Sequence, residues 1–189
     1  DFYSYLHANQ FSGLFGICTN SLRVLSSYHK HMKIDVVQVA LNLLDYKANL
    51  DLLKFAQNHQ IKVHARSVLS SGILSGKYSR NSVDSFTDPL RKRFKLSNDS
   101  RQIYSERISK THEISHYIHS FLKESGRQLT QSQFIYQLMS QSPFVDLIIG
   151  GGSCLSQLKE NAEIFDVLPD YIVEEVFKSL FINWSAPYL

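Results

Sequence analysis

The chain has 189 residues, 43% of them hydrophobic, and its 20 Lys and Arg residues stand against 17 Asp and Glu residues. This apolar content can build one sizeable core, and the length favours a single domain over residues 1–189. The net charge of +3 is too mild and scattered to predict nucleic-acid binding. Its densest basic cluster, which runs from Arg91 to Lys95, is typical of a solvated loop.

Membrane association and secretion are not expected from this sequence. No apolar run approaches the roughly 20 residues that cross a bilayer, and no signal peptide opens the chain. Two cysteines, Cys18 and Cys154, are too few for a disulfide framework, so we expect a reducing, cytoplasmic compartment. The first residue is Asp1 rather than Met. We therefore expect either a tag or a larger N-terminal part to be absent.

Predicted strands and helices alternate along the chain. Four β-branched runs, at 14–19, 35–41, 62–68 and 146–151, are nearly continuous in apolar residues, as in parallel strands buried on both faces. Helical spacing predicts helices over 49–60, 108–123, 130–141 and 155–165. Asn49 or Asp51 is a candidate cap for the first of these, and Gly126 is a stop signal for the second.

This alternation predicts an α/β fold built from βα units around a parallel sheet. Four strands are half of the eight that close a (β/α)8 TIM-type barrel, which takes about 250 residues, so the chain resembles half of such a barrel. Residues 76–101 are polar, contain Pro89 and show no period, which predicts a long loop acting as a lid or a mobile segment. Residues 167–189 are expected to form a C-terminal helix and tail.

Four stretches in chain order resemble strand ends of the aldo-keto reductase family. FGICTNS at 15–21 resembles that family's IGVSN, and VVQVALN at 36–42 is similar to its xxVQxxxN strand. VHARSVLSSGILSGKY at 63–78 resembles YSPLxxGxLTGKY and is the most specific match. IIGGGSCLSQLKEN at 148–161 resembles IPGASxxxQLxEN. Four matches in order identify the chain as the C-terminal half of this family's barrel, similar to a branch found in bacterial sugar and polysaccharide gene clusters.

The resemblance implies a nicotinamide-cofactor site at the carboxyl ends of the strands. Gln38 would hydrogen-bond the nicotinamide carboxamide, and Cys18 and Thr19 hold the positions of a Ser-Asn pair on the same amide. Arg66 stands where most members stack an aromatic ring on the nicotinamide. A guanidinium can also stack there, but its charge disfavours the oxidised, cationic ring. The assigned cofactor residues of the following loop are Ser67, Leu69 and Gly72.

The fourth stretch implies the phosphate and adenine end of the same site. Its glycine turn, which includes Gly151 and Gly152, allows close backbone approach to a phosphate and opens a helix whose N–H groups favour an anion. By resemblance, Ser153 and Gln157 lie near the adenosine 2′-phosphate. The resemblance also places Glu160 and Asn161 at the adenine. Because Gly151 and Gln157 replace the Lys and Arg of some members, a preference for NADP(H) over NAD(H) follows from the family alone.

The family's catalytic Asp, Tyr, Lys and His belong to the first four strand ends, before the start of this sequence. We therefore assign no catalytic residue, and neither Tyr46 nor Tyr78 is given the proton-donor role. The resemblance implies NAD(P)H-dependent reduction of a small carbonyl compound, with a sugar-derived metabolite as a candidate. This chain would supply the cofactor half and be inactive alone. The alternative is a catalytically inactive half-barrel that acts as an assembly module, with exposed sheet edges that could pair two copies into a homodimer.

The helix predicted at 108–123 carries a motif of another enzyme class. His112-Glu113-Ile114-Ser115-His116 matches the H-E-x-x-H of zinc metalloproteases, and His119 falls on the same face. Polar residues precede it where that helix is normally apolar, so we interpret it as a solvated helix face and assign no metal site.

Four remaining features are interpreted from general tendencies. Cys18 and Cys154 are read as small buried hydrophobes rather than nucleophiles, and His64 as a satisfied core residue. The tail from 181 to 189, with Trp184, is either a cover over the active face or a hydrophobic clamp on a helix end.

Overall fold

The computed structural model of the chain describes residues 4, 5, 8, 13–79, 81–87, 89–92, 96–163 and 167–179. Within them, four strands form one sheet in chain order: β1 (Gly16–Cys18), β2 (Val36–Ala40), β3 (Lys62–Arg66) and β4 (Leu147–Ile149). All three pairings are parallel. This confirms the predicted α/β fold with about four βα units, and each strand is shorter than its predicted run.

Helices connect the strands and follow the last one. The first two crossovers hold α1 (Leu22–His29) and α2 (Tyr46–Asn58). The long crossover from β3 to β4 holds a 3-10 helix (Ser70–Ser75), α3 (Ser82–Ser85), α4 (Pro89–Lys92), α5 (Asn98–Ser125) and α6 (Gln131–Ser140). After β4 come α7 (Leu155–Ala162) and α8 (Asp170–Ser179). The helix predicted within 167–189 is therefore present as α8, and the tail at 180–189 lies outside the described residues.

Local capping explains two helices on either side of Gly126. Gly126 adopts a left-handed φ of 67° and ends α5, as predicted. Thr130 caps α6, because its hydroxyl accepts from the Gln133 N–H while the Gln133 side chain bonds back to the Thr130 N–H. These signals need only neighbouring residues, which is why the sequence predicts both boundaries.

Two predictions about the helices are wrong, and one helix was not predicted. The loop predicted at 76–101 contains α3 and α4, and α5 begins at Asn98 because Ser97 accepts from the Ser100 N–H and caps it there. Helix α1 was not predicted. Neither Asn49 nor Asp51 caps α2, since that helix already begins at Tyr46 after Asp45.

Among the described residues, the sheet packs one of its faces against helices and leaves the other partly exposed, which corrects the prediction that both faces are buried. Val37, Val39, Val63 and Ala65 are 0–2% exposed and pack against the helices. The alternate residues of the same strands point to the opposite face. We call this side the open face, and its strand residues are Gly16, Cys18, Val36, Gln38, Ala40, Lys62, His64, Arg66, Leu147 and Ile149.

In the part of the chain that the structure describes, no helix has both the length and the apolar character needed to cross a bilayer.

Candidate functional site

The carboxyl ends of β3 and β4 open onto a groove of about 650 Å³. Most of the residues predicted to hold a cofactor line this groove: Arg66, Ser67, Leu69, Gly72, Gly151, Gly152, Ser153, Gln157, Glu160 and Asn161. The structure thus brings together the loop after β3 and the turn after β4, although 78 residues separate Gly72 from Gly151 in the sequence. Both are at the end of the sheet where ligands of α/β proteins bind.

The other three predicted residues lie on neighbouring strand ends and do not line the groove. Cys18 pairs with Gln38, and Gln38 pairs with His64, so these residues form one row across the open face. The Thr19 hydroxyl accepts a hydrogen bond from the Ser21 N–H at 3.0 Å, within the local bend of the chain. Gln38 is therefore placed beside the groove, whereas the Thr19 side chain is already engaged.

The loop after β3 has an unusual backbone. Ser67, Ser70 and Ser71 have φ values of 58°, 49° and 58°, and Gly72 follows at 88°. Left-handed non-glycine residues each cost on the order of 1 kcal/mol, so surrounding contacts must hold this shape. Such strain is often found at ligand sites, where the backbone itself is presented to the ligand.

Two arginines hold the strained loop. Arg107 of α5 donates to the Ser70 Oγ at 2.8 Å and to both carboxylate oxygens of Asp45 at 2.7 Å each. Arg91 of α4 donates from Nε to the Ser71 carbonyl at 2.9 Å. Neither arginine was predicted, because both act on residues distant in the sequence. A single Arg at a core-facing position of an amphipathic helix is the only local signal for Arg107.

The glycine turn after β4 closes tightly on α7. A Cβ at Gly152 would lie 3.1 Å from Gln157 Cβ and from Leu158 Cδ2, so no other residue fits there without a shift. A Cβ at Gly151 would meet nothing within 4 Å. The Gln157 Oε1 accepts from both the N–H and the Oγ of Ser153, at 2.8 and 3.1 Å. That amide oxygen occupies donors that an anion at the start of α7 would otherwise use.

Two groups on the floor of this turn come from α6 and α7. Burial raises the pKa of Tyr136, the nearby Glu160 raises it further, and a hydrogen bond with the Gly151 backbone opposes both. The Glu160 carboxylate accepts from the Thr130 hydroxyl, and its backbone carbonyl accepts from Gln133 at 3.1 Å. Glu160, which is predicted to contact the adenine, therefore also links α7 to α6 through hydrogen bonds.

The lining of the groove is cationic. Arg66, Lys77 and Arg91 line it, and Glu160 is the one carboxylate among its described lining residues. The Arg66 Nε is buried without a hydrogen-bond partner in the part of the chain that is described. Together with the N-terminus of α7, this charge suits a ligand that carries several negative charges, such as a dinucleotide.

Both cysteines are exposed, which corrects their interpretation as buried hydrophobes. Hydrogen bonding to Ser156 and to the backbone at the start of α7 holds the pKa of the Cys154 thiol below its usual range, with a smaller contribution from Lys77. His64 is only half-buried and lies on the open face, so it is not a satisfied core residue.

The H-E-x-x-H segment lies on the exposed side of α5, as interpreted. His112 hydrogen-bonds the Tyr78 carbonyl at 2.7 Å, and Glu113 pairs with Lys110 at 2.6 Å. Among the described residues, no group of three His, Cys, Asp or Glu side chains is arranged to hold a metal ion. Tyr46 is buried against Ser142, 2.6 Å from its Oγ, and lies away from the groove.

Comparison with known proteins gives matches over nearly the whole chain. The sequence profile of the Aldo/keto reductase family matches residues 13–179. A probable voltage-gated potassium channel subunit beta from Arabidopsis thaliana is 28% identical over 130 residues, which make up 66% of this chain and 36% of that protein.

Two solved structures share the fold. The glycerol dehydrogenase AKR11B4 from Gluconobacter oxydans has a TM-score of 0.66 at 19% identity, covering 98% of this chain and 55% of its own. The aldo-keto reductase AKR11C1 from Bacillus halodurans, in its holo form, has a TM-score of 0.61 at 17% identity, covering 99% and 55%. The chain therefore spans just over half the length of these structures and about a third of the plant protein.

Proposed function

Because the chain belongs to the aldo/keto reductase family, we propose that it is the cofactor-binding half of an NAD(P)H-dependent reductase that acts on small carbonyl compounds. The observation that carries this proposal is the groove at the ends of β3 and β4. It combines a cationic lining, a strained loop that presents backbone, and a glycine turn that opens α7. Two free cysteines accord with a cytoplasmic protein.

The residues of the groove fit a nicotinamide dinucleotide at both of its ends. The Nε of Arg66 is buried without a hydrogen-bond partner among the described residues, and the guanidinium plane of this side chain can stack on a flat ring. Gln38 lies one strand away and would bind the carboxamide. The turn at Gly151 and Gly152, with the N–H groups of α7, would hold phosphate oxygens. The bound cofactor would supply hydride.

Nucleotide preference depends on the adenosine end. Ser153 and Gln157 would contact the 2′ position, and Glu160 and Asn161 the adenine. We propose NADP(H) on the basis of the family, with NAD(H) as the alternative, because Gln157 brings no positive charge to the 2′ position. Lys77 and Arg91 are cations that the sequence motifs did not assign, and they line the same groove.

The carbonyl substrate would need a proton donor that these residues do not provide. Among the described residues, the tyrosines that line the groove are Tyr78 and Tyr136. Tyr136 hydrogen-bonds the Gly151 backbone, and the Tyr78 ring lies under Arg91, 5.6 Å from its guanidinium carbon. We therefore propose that the chain binds cofactor but does not reduce carbonyls alone. A sugar-derived carbonyl remains the candidate substrate class, and the glycerol dehydrogenase neighbour acts on a small polyol.

Fluorescence titration of the purified chain with NADPH and with NADH tests the proposal. We expect a Kd on the order of micromolar for one of them. Arg91→Ala should weaken binding by about tenfold, because one charge-assisted contact of about 1.4 kcal/mol is lost. Lys54→Ala, on the exposed side of α2, is the control and should bind as the unmodified chain does.

A second assay measures NADPH oxidation with a panel of aldehydes and sugars. Absence of turnover together with cofactor binding is the expected result. Turnover by the chain alone would contradict the proposal that the proton donor lies elsewhere. Absence of binding to either nucleotide would contradict the cofactor function itself.

A further inference from the structure

Helix α6 contributes to the wall of the groove, although no motif of the sequence assigns any of its residues to a ligand. Nine of its ten residues, from Gln131 to Met139, are buried. Ser132 and Tyr136 are 7% and 6% exposed, and both line the groove. Residues four positions apart lie on the same face of a helix, one turn from each other. This face of α6 therefore brings two hydroxyl groups to the groove.

Polar side chains at the two ends of α6 have acceptors within the chain. The Gln131 amide donates to the Leu74 carbonyl at 2.7 Å, and the Ser140 hydroxyl donates to the Gln137 carbonyl at 2.7 Å. In the part of the chain that the structure describes, neither of the two groove hydroxyls donates a hydrogen bond in this way. A largely buried hydroxyl without an acceptor in the protein favours a ligand that brings an oxygen to it.

The Tyr136 ring lies against the glycine turn. A Cβ at Gly150 would be 3.5 Å from the Tyr136 hydroxyl oxygen and 3.7 Å from its Cε1. Burial raises the pKa of Tyr136, and Glu160 raises it further, so the phenol keeps its proton near neutral pH. The Gly151 backbone lowers this pKa because its N–H donates to the phenol oxygen. That hydrogen bond does not use the hydroxyl proton, which is therefore available to a ligand.

Other residues of the groove supply positive charge. Arg66, Lys77 and Arg91 line it together with the two hydroxyls, and Glu160 is the one carboxylate among the described lining residues. Cations and hydroxyl donors both favour phosphate oxygens, because these are charged and accept several hydrogen bonds. The combination therefore favours the diphosphate of a dinucleotide over its uncharged ribose groups.

We propose that the hydroxyls of Ser132 and Tyr136 donate hydrogen bonds to diphosphate oxygens of the ligand in the groove. The helix α6 then binds the ligand together with the strand ends and the glycine turn. Tyr136 acts in this role as a hydrogen-bond donor and does not transfer its proton. The inference rests on the proposed cofactor function and adds two residues to that site.

Titration of the chain and its variants with ADP and with NADPH tests the inference, because both ligands carry a diphosphate. Tyr136→Phe removes only the hydroxyl and should weaken the binding of both by about tenfold, since one hydrogen bond to a charged group is lost. Ser132→Ala should act in the same direction, and the double variant should bind more weakly than either single variant. Calorimetry measures the ADP affinity, and fluorescence measures the NADPH affinity.

Two control variants remove the same groups away from the groove. Tyr46→Phe deletes a buried hydroxyl that lies 2.6 Å from the Ser142 Oγ, and Ser140→Ala deletes a hydroxyl at the last residue of α6. Both should bind ADP and NADPH as the unmodified chain does. Circular dichroism checks folding, and Ser132→Ala alone carries the test if Tyr136→Phe is unfolded.

The outcomes separate this inference from the cofactor function. If the unmodified chain binds both ligands and the hydroxyl variants bind them equally well, the inference is overturned and the cofactor function stands. A loss for NADPH without a loss for ADP would also overturn it, because the contacts would then lie away from the diphosphate. Hydroxyl-dependent binding of ADP by a chain that binds neither NADPH nor NADH would support the inference and contradict the cofactor function. A chain that binds none of the three would overturn both.

Discussion

Replacing Arg107 with Ala should destabilise the chain strongly and weaken nucleotide binding with it. Arg107 makes a bidentate ion pair with Asp45 and a third hydrogen bond to Ser70, which connects α5 to the start of α2 and to the strained loop. The two charged side chains are only 9% and 12% exposed, so water screens the pair little. Removing Arg107 takes away the cationic partner of the Asp45 carboxylate, to which the Asn42 side-chain amide also donates at 2.8 Å, and breaking such a buried ion pair is costly.

The expected cost is about 3–5 kcal/mol, the range for breaking buried ion pairs. For a domain of this size each kcal/mol lowers the Tm by roughly 2–4 °C, so the fall should be roughly 6–20 °C. Differential scanning calorimetry and urea unfolding measure it. Loss of the Ser70 contact also frees a residue held at φ 49°, so the NADPH affinity should fall even under conditions where the variant is folded.

Arg101→Ala is the matched control because it removes the same side chain from the same helix. Arg101 pairs with Asp84 at 3.2 Å, but these side chains are 50% and 69% exposed. An exposed pair is worth less than about 1 kcal/mol. A double-mutant cycle of Arg107→Ala with Asp45→Ala should give a coupling energy of about 1–3 kcal/mol. Equal Tm shifts for Arg101→Ala and Arg107→Ala, or a coupling near zero, would refute the reasoning.

Three further predictions concern the glycine turn, a carboxylate and a thiol. Gly152→Ala should weaken NADPH binding about tenfold, since its Cβ would lie 3.1 Å from α7 atoms, whereas Gly151→Ala should change little; fluorescence titration measures both. The Lys33 side chain and the Phe15 N–H hold the pKa of Asp35 below its usual range. The stabilisation that the ionised Asp35 gives the folded chain is therefore complete above the unfolded pKa of about 3.9, and it is lost as the pH falls through the lower folded pKa. Asp35→Asn should therefore destabilise the chain at pH 7 and lose this effect below about pH 4 in urea unfolding. Iodoacetamide labelling followed by mass spectrometry should show Cys154 modified quickly near neutral pH, because its pKa is lowered, and Cys154→Ser should remove that fast phase.

Each of these has a result that would count against it. Equal affinities for Gly151→Ala and Gly152→Ala would show that the tight approach of the turn does not matter for binding. A stability difference for Asp35→Asn that persists at low pH would assign the effect to packing rather than to charge. Slow labelling of Cys154 would mean that its hydrogen bonds do not stabilise the thiolate.

Features that depend on neighbouring residues could be predicted from the sequence. The end of α5 at Gly126 and the start of α6 at Thr130 follow from a left-handed glycine and a capping box. The four apolar runs predicted the strands, and their order with intervening helices predicted a parallel sheet. By resemblance to the family, the glycines and the Gln-Leu-x-Glu-Asn sequence after the last run predicted cofactor residues, and these residues line one groove.

Features that depend on distant contacts could not be predicted in this way. The pair of Arg107 with Asp45 joins residues 62 positions apart, and the core-facing position of Arg107 on its helix does not indicate which residue is its partner. The hydrogen bond from the Thr130 hydroxyl to Glu160 likewise joins two helices through residues that are distant in the sequence. Exposure of Cys18 and Cys154 also depends on which elements cover the strand ends.

The sequence by itself determined the family and the parallel βα alternation, because both follow from short-range patterns of residue type. The resemblance to the family then implied where along the chain a cofactor site would lie. Only the tertiary structure decided that one face of the sheet is open. An apolar run such as 146–151 predicts a strand that is buried on both faces, because continuous apolar residues are typical of such strands. Burial itself depends on what packs against it, and in the described residues helices pack on one side only.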